Sequence, residues 1–364
     1  RAGQTGALPA LLGLLVLCIV FGSLSSVFLT PGNFANLLTQ AAAVIVIAMG
    51  LVFVLLIGEI DLSAGYASGV CSAVLVILVT KNDQPWYVAL TASIIVGCVL
   101  GYLIGILVAR LGIPSFVVTL ASFLAFQGIL LLLAGEGGTI RIEDKTVLAI
   151  ENSNLSVSAS WLFFIVVSAI YFLSGLARIN SRRKAGLKTE LKKLWLIKTL
   201  ALIGASGLAV LTLNLERSNN PDLVSLKGIP YVVPLILAIL VVGTFVLDRT
   251  AFGRHIYAVG GNAEAARRAG INVKRIRIAC FMICSGLSAI AGLIFASRQN
   301  SVSPTTGGSS TLLYAVGAAV IGGTSLFGGK GKMRDAILGG LVVAVIDNGT
   351  GLLGYAAGIK FIVT

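Results

Sequence analysis

Few side chains in this sequence can do chemistry, and those that can are set in apolar surroundings. Glu59, Asp61 and Ser63 share the stretch Gly58-Glu-Ile-Asp-Leu-Ser63 between two long apolar runs. Gln40, Gln127, Asp347 and Asn348 each interrupt an apolar run. A carboxylate or amide at membrane depth is expensive, about 3 kcal/mol for a charge on an insertion scale, and so is a candidate for a solute path. Each of these residues also has a simpler use. Asp61 can cap the helix that begins at Leu62, Asp347-Asn348-Gly349 can mark a helix break, and Gln40, Gln127 and Asn348 can hydrogen-bond between helices. Catalysis has no such support. The only histidine, His255, lies in a polar loop, so there is no Ser/His/Asp or Cys/His set and no metal-ligand cluster. Cys18, Cys71, Cys98, Cys280 and Cys284 all lie in apolar runs and are expected to be small core residues. Gly328-Gly-Lys-Gly-Lys332 fails the phosphate-loop spacing at both ends in either frame, and no strand precedes it.

The most strongly patterned polar segment is Phe252-Gly-Arg-His-Ile-Tyr-Ala-Val-Gly-Gly-Asn-Ala-Glu-Ala-Ala-Arg-Arg-Ala-Gly-Ile-Asn272. Gly260 and Gly261 are expected to break the chain. Asn262 then caps a short helix, with Glu264 in its first turn and Arg267 and Arg268 in its last, as the helix dipole favours. Gly270 supplies a left-handed end. About two turns cannot hold alone in water, so the helix is expected to pack on another chain. Ala263, Ala265 and Ala266 would admit it to a groove. Arg267 and Arg268 would meet acidic groups there or serve only as topological charges.

These segments are positioned by a membrane scaffold. The chain has 364 residues, 57% hydrophobic and 11% charged, where soluble domains carry roughly 25% charged residues. Spans of about 20 apolar residues are expected at Leu8–Leu29, Phe34–Ile57, Leu62–Thr80, Trp86–Ala109, Ile113–Ala134, Trp161–Ala177, Trp195–Leu213, Ile229–Leu247, Ile278–Ser297, Thr311–Phe327 and Ala336–Ile359. The fold class is therefore an all-α polytopic membrane protein with about eleven transmembrane helices and a short cytoplasmic helix, which the resemblance given below implies is a coupling helix. Phe361–Thr364 reads as the start of one further span, about twelve in all. The first run is too long for a signal-peptide core. A single transmembrane domain, 1–364, is expected, with N-terminal helices over 1–134, an inserted hairpin and its flanking loops over 135–228, and helices carrying the loop 248–277 over 229–364.

Net charge is +13, from 27 Lys and Arg against 14 Asp and Glu. The positive-inside rule accounts for it better than nucleic acid does. Arg178–Lys193, Asp248–Arg277 and Gly328–Arg334 hold the basic clusters and are separated by pairs of spans, so all three fall on the cytoplasmic side. Gly135–Ser160, Asn214–Gly228 and Arg298–Ser310 then fall outside. By the same count Glu59–Ser63 lies near the cytoplasmic face, although an unwound stretch at membrane depth is also tolerated where it lines a cavity.

Five motifs in order carry a resemblance: Glu59-Ile-Asp-Leu-Ser-Ala-Gly65, Pro114-Ser-Phe-Val-Val-Thr-Leu120, the Phe252–Asn272 stretch, Ile321-Gly-Gly-Thr-Ser-Leu326 with Gly328-Gly329, and Asp347-Asn-Gly349. The chain resembles the permease subunits of bacterial sugar ABC importers, ribose/xylose branch, and is closer to the xylose type at Glu59 and over Pro114–Ile129. The resemblance implies a multi-pass protein of the cytoplasmic membrane that imports a pentose or related aldose. It implies a homodimeric pore, two cytoplasmic ATPase subunits that bind the ATP and Mg, and an external sugar-binding protein. This chain itself would hold no cofactor. The coupling residues would be Gly261, Asn262, Glu264, Ala265, Ala266, Arg267 and Gly270. The downstream Ile-x-Leu-Pro of one ABC permease class is absent, so docking is implied but not that class's fold. The family places six spans before the coupling loop and this chain has eight, the extra pair being Trp161–Ala177 and Trp195–Leu213. An ion-coupled secondary transporter or a channel for a small polar solute is the alternative. It is disfavoured because the sequence shows neither an inverted repeat nor a filter motif.

Overall fold

The computed structural model describes residues 8–135, 138–186, 192–218 and 220–363. Its helices in chain order are α1 (Leu8–Leu24), α2 (Pro31–Leu56), α3 (Ala64–Thr80), α4 (Trp86–Ala109), α5 (Ser115–Ala134), α6 (Lys145–Asn152), α7 (Val157–Lys184), α8 (Lys192–Leu213), α9 (Val232–Arg249), α10 (Ala251–Gly261), α11 (Ala263–Arg268), α12 (Val273–Gln299), α13 (Ser309–Ile321), α14 (Met333–Leu352) and α15 (Ala357–Val363). Eight of them are long and apolar enough to cross a membrane, and α1, α3 and α13 are shorter apolar helices. These eleven correspond to the eleven expected spans. At 13 residues, α13 is about 20 Å long, well short of the hydrocarbon core.

Several boundaries differ from expectation. The basic stretch after Trp161 does not begin as a loop at Arg178, because α7 stays helical to Lys184, with Arg182, Arg183 and Lys184 in its last turn where the dipole favours them. The rest of that stretch includes residues 187–191, with Glu190, which lie outside the described residues, as does Thr364. Asp347-Asn348-Gly349 does not break a helix. It is carried inside α14, and the chain turns only at Leu353–Gly354, where Gly354 has φ +72°.

The chain divides into two compact units: residues 1–29, 36–152 and 232–364 form one, and residues 30–35 with 153–231 the other. In the larger unit α3 and α12 are buried almost all round. Helices can approach this closely in lipid only where side chains are small. Gly97, Gly101 and Gly105 form an i, i+4, i+8 stripe on α4 against α12. A Cβ at Gly101 would lie 2.3 Å from the Phe281 carbonyl oxygen, and one at Gly97 2.6 Å from that of Ser285. Cys280 and Cys284 are fully buried on α12, as small core residues should be.

At the C-terminal end of α12 the short strands β1 (Ile140–Arg141) and β2 (Ser301–Val302) pair antiparallel, and α6 packs beside them. At its N-terminal end lies α11. The 27 residues of α12, roughly 40 Å of helix, thus separate residues 138–152 from the 248–277 loop. In the smaller unit Glu216 organises its loop, accepting bonds from the Ser225 hydroxyl (2.7 Å) and the Leu226 (2.9 Å) and Ser218 (3.0 Å) amides. These bonds pull its carboxyl down to about 2.

Candidate functional site

The Phe252–Asn272 stretch folds as two helices, not as a loop with one. Thr250 caps α10, its hydroxyl accepting from the Gly253 amide at 3.1 Å. Gly253, Ile256 and Val259 form the inward face of α10. The glycine pair is not a break. Gly260 and Gly261 close α10 in helical conformation, and Gly260 is there for space: a Cβ would lie 1.7 Å from the Leu56 carbonyl oxygen and 2.7 Å from the Gly329 nitrogen.

The expected caps of α11 are present. The Asn262 side chain accepts from the Ala265 amide at 2.9 Å. At the other end Ile271 N–H bonds to Ala266 O and Gly270 N–H to Arg267 O, both at 3.0 Å. Gly270 takes φ +85°. This pairing, with a left-handed glycine after the cap, ends a helix abruptly. Asn272 at once caps α12 through the Arg275 amide at 3.0 Å. Gly261, Asn262, Glu264, Ala265, Arg267, Arg268 and Gly270 are exposed, whereas Ala266 is buried. Ala266 therefore anchors α11 to its own chain and does not face a partner. Glu264 bonds Arg267 (2.9 Å) and Arg268 (3.2 Å), which holds its carboxyl below the usual range. Such exposed pairs contribute little stability.

Two other segments meet this one. The loop from Gly322 to Lys332 turns through Gly328, Gly329 and Gly331, all at positive φ. Gly329 N–H donates to Leu56 O at 2.9 Å, and the Tyr257 hydroxyl donates to Gly331 O at 2.8 Å. Burial, with Asp248 and Asp335 nearby, pushes the Tyr257 phenol up to about 12. The Gly58–Ser63 break lies at the same end. Glu59 pairs with Arg277 of α12 at 3.1 Å, and Ile60 N–H donates to the Ser115 hydroxyl at 3.3 Å. Asp61 is fully buried and accepts from both the Ser63 amide (2.8 Å) and its hydroxyl (2.6 Å). The helix starts at Ala64, with Ser63 at its cap position, so Asp61 closes a side-chain turn ahead of α3 instead of capping a helix from Leu62.

Elsewhere in the same unit α2 and α14 share a polar contact. Gln40 donates to the Asp347 carboxylate, and Asn348 donates back to the Gln40 carbonyl at 3.3 Å. A cavity of about 30 Å³ beside them is lined by Gln40, Val44, Tyr314 and Asp347 among others, room for roughly one water. Gln127 does not join them. It is exposed on α5.

The model of a family described as "Branched-chain amino acid transport system / permease component" matches residues 33–364. The chain belongs to this permease family. It is 36% identical to the xylose transport system permease protein XylH of Escherichia coli (strain K12), over 92% of this chain and 82% of that protein. It is 34% identical to XylH of Haemophilus influenzae, over 92% and 86%, and 28% identical to the ribose import permease protein RbsC of Escherichia coli (strain K12), over 97% and 88%. No solved structure matches. These relatives are transport permeases, and this multi-pass permease is read as a transporter component and not an enzyme.

At its other end the permease carries a group that sequence reading overlooked. Glu151 of α6 is buried, and neither carboxylate oxygen has a hydrogen-bond partner among the described residues. Its backbone N–H donates to the Ser297 hydroxyl at 3.0 Å, and the Asn152 amide donates to Ser297 O at 2.9 Å. Burial pushes the Glu151 carboxyl up to about 8 against the opposing pull of Arg298. Arg298 is turned to Thr39 (2.9 Å) and Asn36 (3.3 Å) of α2. The signal was Asp144, which caps α6 through the Val147 amide at 2.8 Å, followed by an apolar stripe too short to read as a span.

Proposed function

We propose that this permease is the membrane subunit of an ATP-driven importer of the bacterial cytoplasmic membrane, moving xylose or a related pentose or aldose inward. Asn262–Gly270 docks on a cytoplasmic ATPase, which binds the ATP and Mg. An external sugar-binding protein delivers the substrate, and a second permease copy completes the pore. The observation that carries this reading is α11 itself, a helix of six residues capped at both ends and anchored by Ala266, with every polar side chain directed outward. A helix this short gains nothing from propensity, and its rigid, exposed presentation suits a partner's cleft. The xylose and ribose names of the relatives support the sugar class.

For the path, Asp347 and Asn348, with Gln40, are the residues best suited to meet sugar hydroxyls, because an amide–carboxylate contact between two helices can open and re-form around a hydroxyl at little net loss of hydrogen bonding. Glu59, Asp61 and Ser63 lie at the coupling end and serve the path from there. The test is uptake in proteoliposomes with a panel of labelled pentoses and hexoses, with and without the partner ATPase and binding protein. Accumulation of a pentose only when ATPase, ATP and binding protein are all present is expected. ATP-independent uptake driven by an ion gradient would reject the reading.

A further inference from the structure

The short helix α11 is bracketed. On one side it follows directly from Gly260–Gly261, on the other it leads within nine residues to Arg277 on α12, and both flanks bear on the same short segment of chain. On the α10 side, the Leu56 carbonyl oxygen lies where a Cβ of residue 260 would be, at 1.7 Å, and the same oxygen accepts the Gly329 N–H at 2.9 Å. Gly328 adds backbone contact: its Cβ would meet Gly260 O at 2.8 Å and Gly58 N at 3.0 Å. Backbone atoms of Leu56 and Gly58, of Gly260–Gly261 and of Gly328–Gly329 therefore touch without intervening side chains. Backbone packed on backbone has no rotamer to absorb a shift, so displacement passes directly from one stretch to the next. On the α12 side, Arg277 holds Glu59 at 3.1 Å, the two side chains 30% and 13% exposed. Helix α12 thus grips the break at Glu59.

We propose that Gly260 and the Glu59–Arg277 pair are positioning residues that transmit movement of α11 to the Gly58–Ser63 segment, and through it to α2 and α3. The inference rests on α11 being the ATPase-docking helix, but it assigns a role to residues that do not touch the ATPase. Rocking α11 presses on Leu56 through Gly260 and draws Glu59 through Arg277. The segment it moves joins α2, which carries Gln40, to α3. Asp61 and Ser63 keep that segment folded as a unit while it moves, because their two hydrogen bonds are internal to it.

The experiment uses the full permease reconstituted with its ATPase and binding protein, and measures two quantities: ATPase co-purification and sugar moved per ATP hydrolysed. Gly260→Ala should keep co-purification and lower the ratio at least tenfold. Because Gly260→Ala also risks misfolding, the ion pair gives an independent arm. Glu59→Arg and Arg277→Glu should each lower the ratio, and the double variant Glu59→Arg/Arg277→Glu should recover it to within about threefold of the wild type. The swap is not opposed by the helix dipoles, since it puts the cation after the end of α2 and the anion near the start of α12. A purely structural pair would lose insertion and ratio together. An unchanged ratio in Gly260→Ala and both single variants overturns the proposal, as does loss of co-purification in them with the ratio per bound ATPase unchanged. If wild-type uptake needs no ATPase, the docking reading fails first and this proposal with it.

Discussion

Glu151 shows how burial sets chemistry at a single residue. Its carboxyl is raised to about 8 from an unfolded value near 4.3, so the folded state holds the proton over the window between. Stability from this group is therefore full below about pH 4 and is lost as pH rises toward about 8. The slope approaches about 1.4 kcal/mol per pH unit at most. Thermal unfolding of purified permease should show its midpoint falling between about pH 5 and 8, and Glu151→Gln should flatten that slope. A wild-type profile already flat across this window would show the group ionised and solvated in the native protein. Asp347 makes the second prediction at this scale. Asp347→Asn keeps the side-chain shape and one acceptor oxygen but removes the charge, so Gln40 stays bonded by a weaker, neutral contact. Sugar uptake should fall several-fold with insertion unchanged. Wild-type transport kinetics in that variant would reduce Gln40–Asp347 to interhelical glue.

Between elements, the α4–α12 stripe is a close helix contact that only glycine permits. Gly101→Leu would drive a side chain into the Phe281 backbone, where even a Cβ has only 2.3 Å. Overpacking of this kind costs about 1–3 kcal/mol and sometimes more. Reduced yield of folded permease and a lowered melting temperature are expected, and normal yield and melting would mean that α4 and α12 separate readily. Such elements also show what can be read from residues in order. The long spans were legible because an apolar run of membrane length has little else to do. The caps of α11 were legible because Asn262 and Gly270 act within a few residues of themselves. What stayed hidden was non-local or short. Gln40 and Asp347 are 307 positions apart, and nothing near either one names the other. Gly260 looked like a helix breaker, because a glycine kept for a neighbour's backbone and one kept for a turn are the same letter. Helix α6 has 8 residues, too few for its apolar stripe to stand out.

Across the whole molecule the two ends of α12 carry different equipment. One end gathers α10, α11, the 322–332 loop and the Gly58–Ser63 break. The other gathers α6, the two short strands and Glu151. A transporter driven by a partner's ATP needs this division: one end to receive work, the other to meet the outside, and a buried helix joining them. On the proposed function, work enters through α11. The direct measurement is sugar moved per ATP hydrolysed by permease reconstituted with its ATPase and binding protein, wild type against Gly270→Val. A Cβ at residue 270 meets no neighbouring atom, so the substitution acts through φ +85° alone, a strain of about 1–3 kcal/mol for a branched residue that unwinds the end of α11 and leaves the spans intact. Normal membrane insertion is expected, with ATPase binding lost, or with binding retained and the sugar-to-ATP ratio reduced at least tenfold. A wild-type ratio in Gly270→Val, with the ATPase still bound, would show that work does not enter through α11.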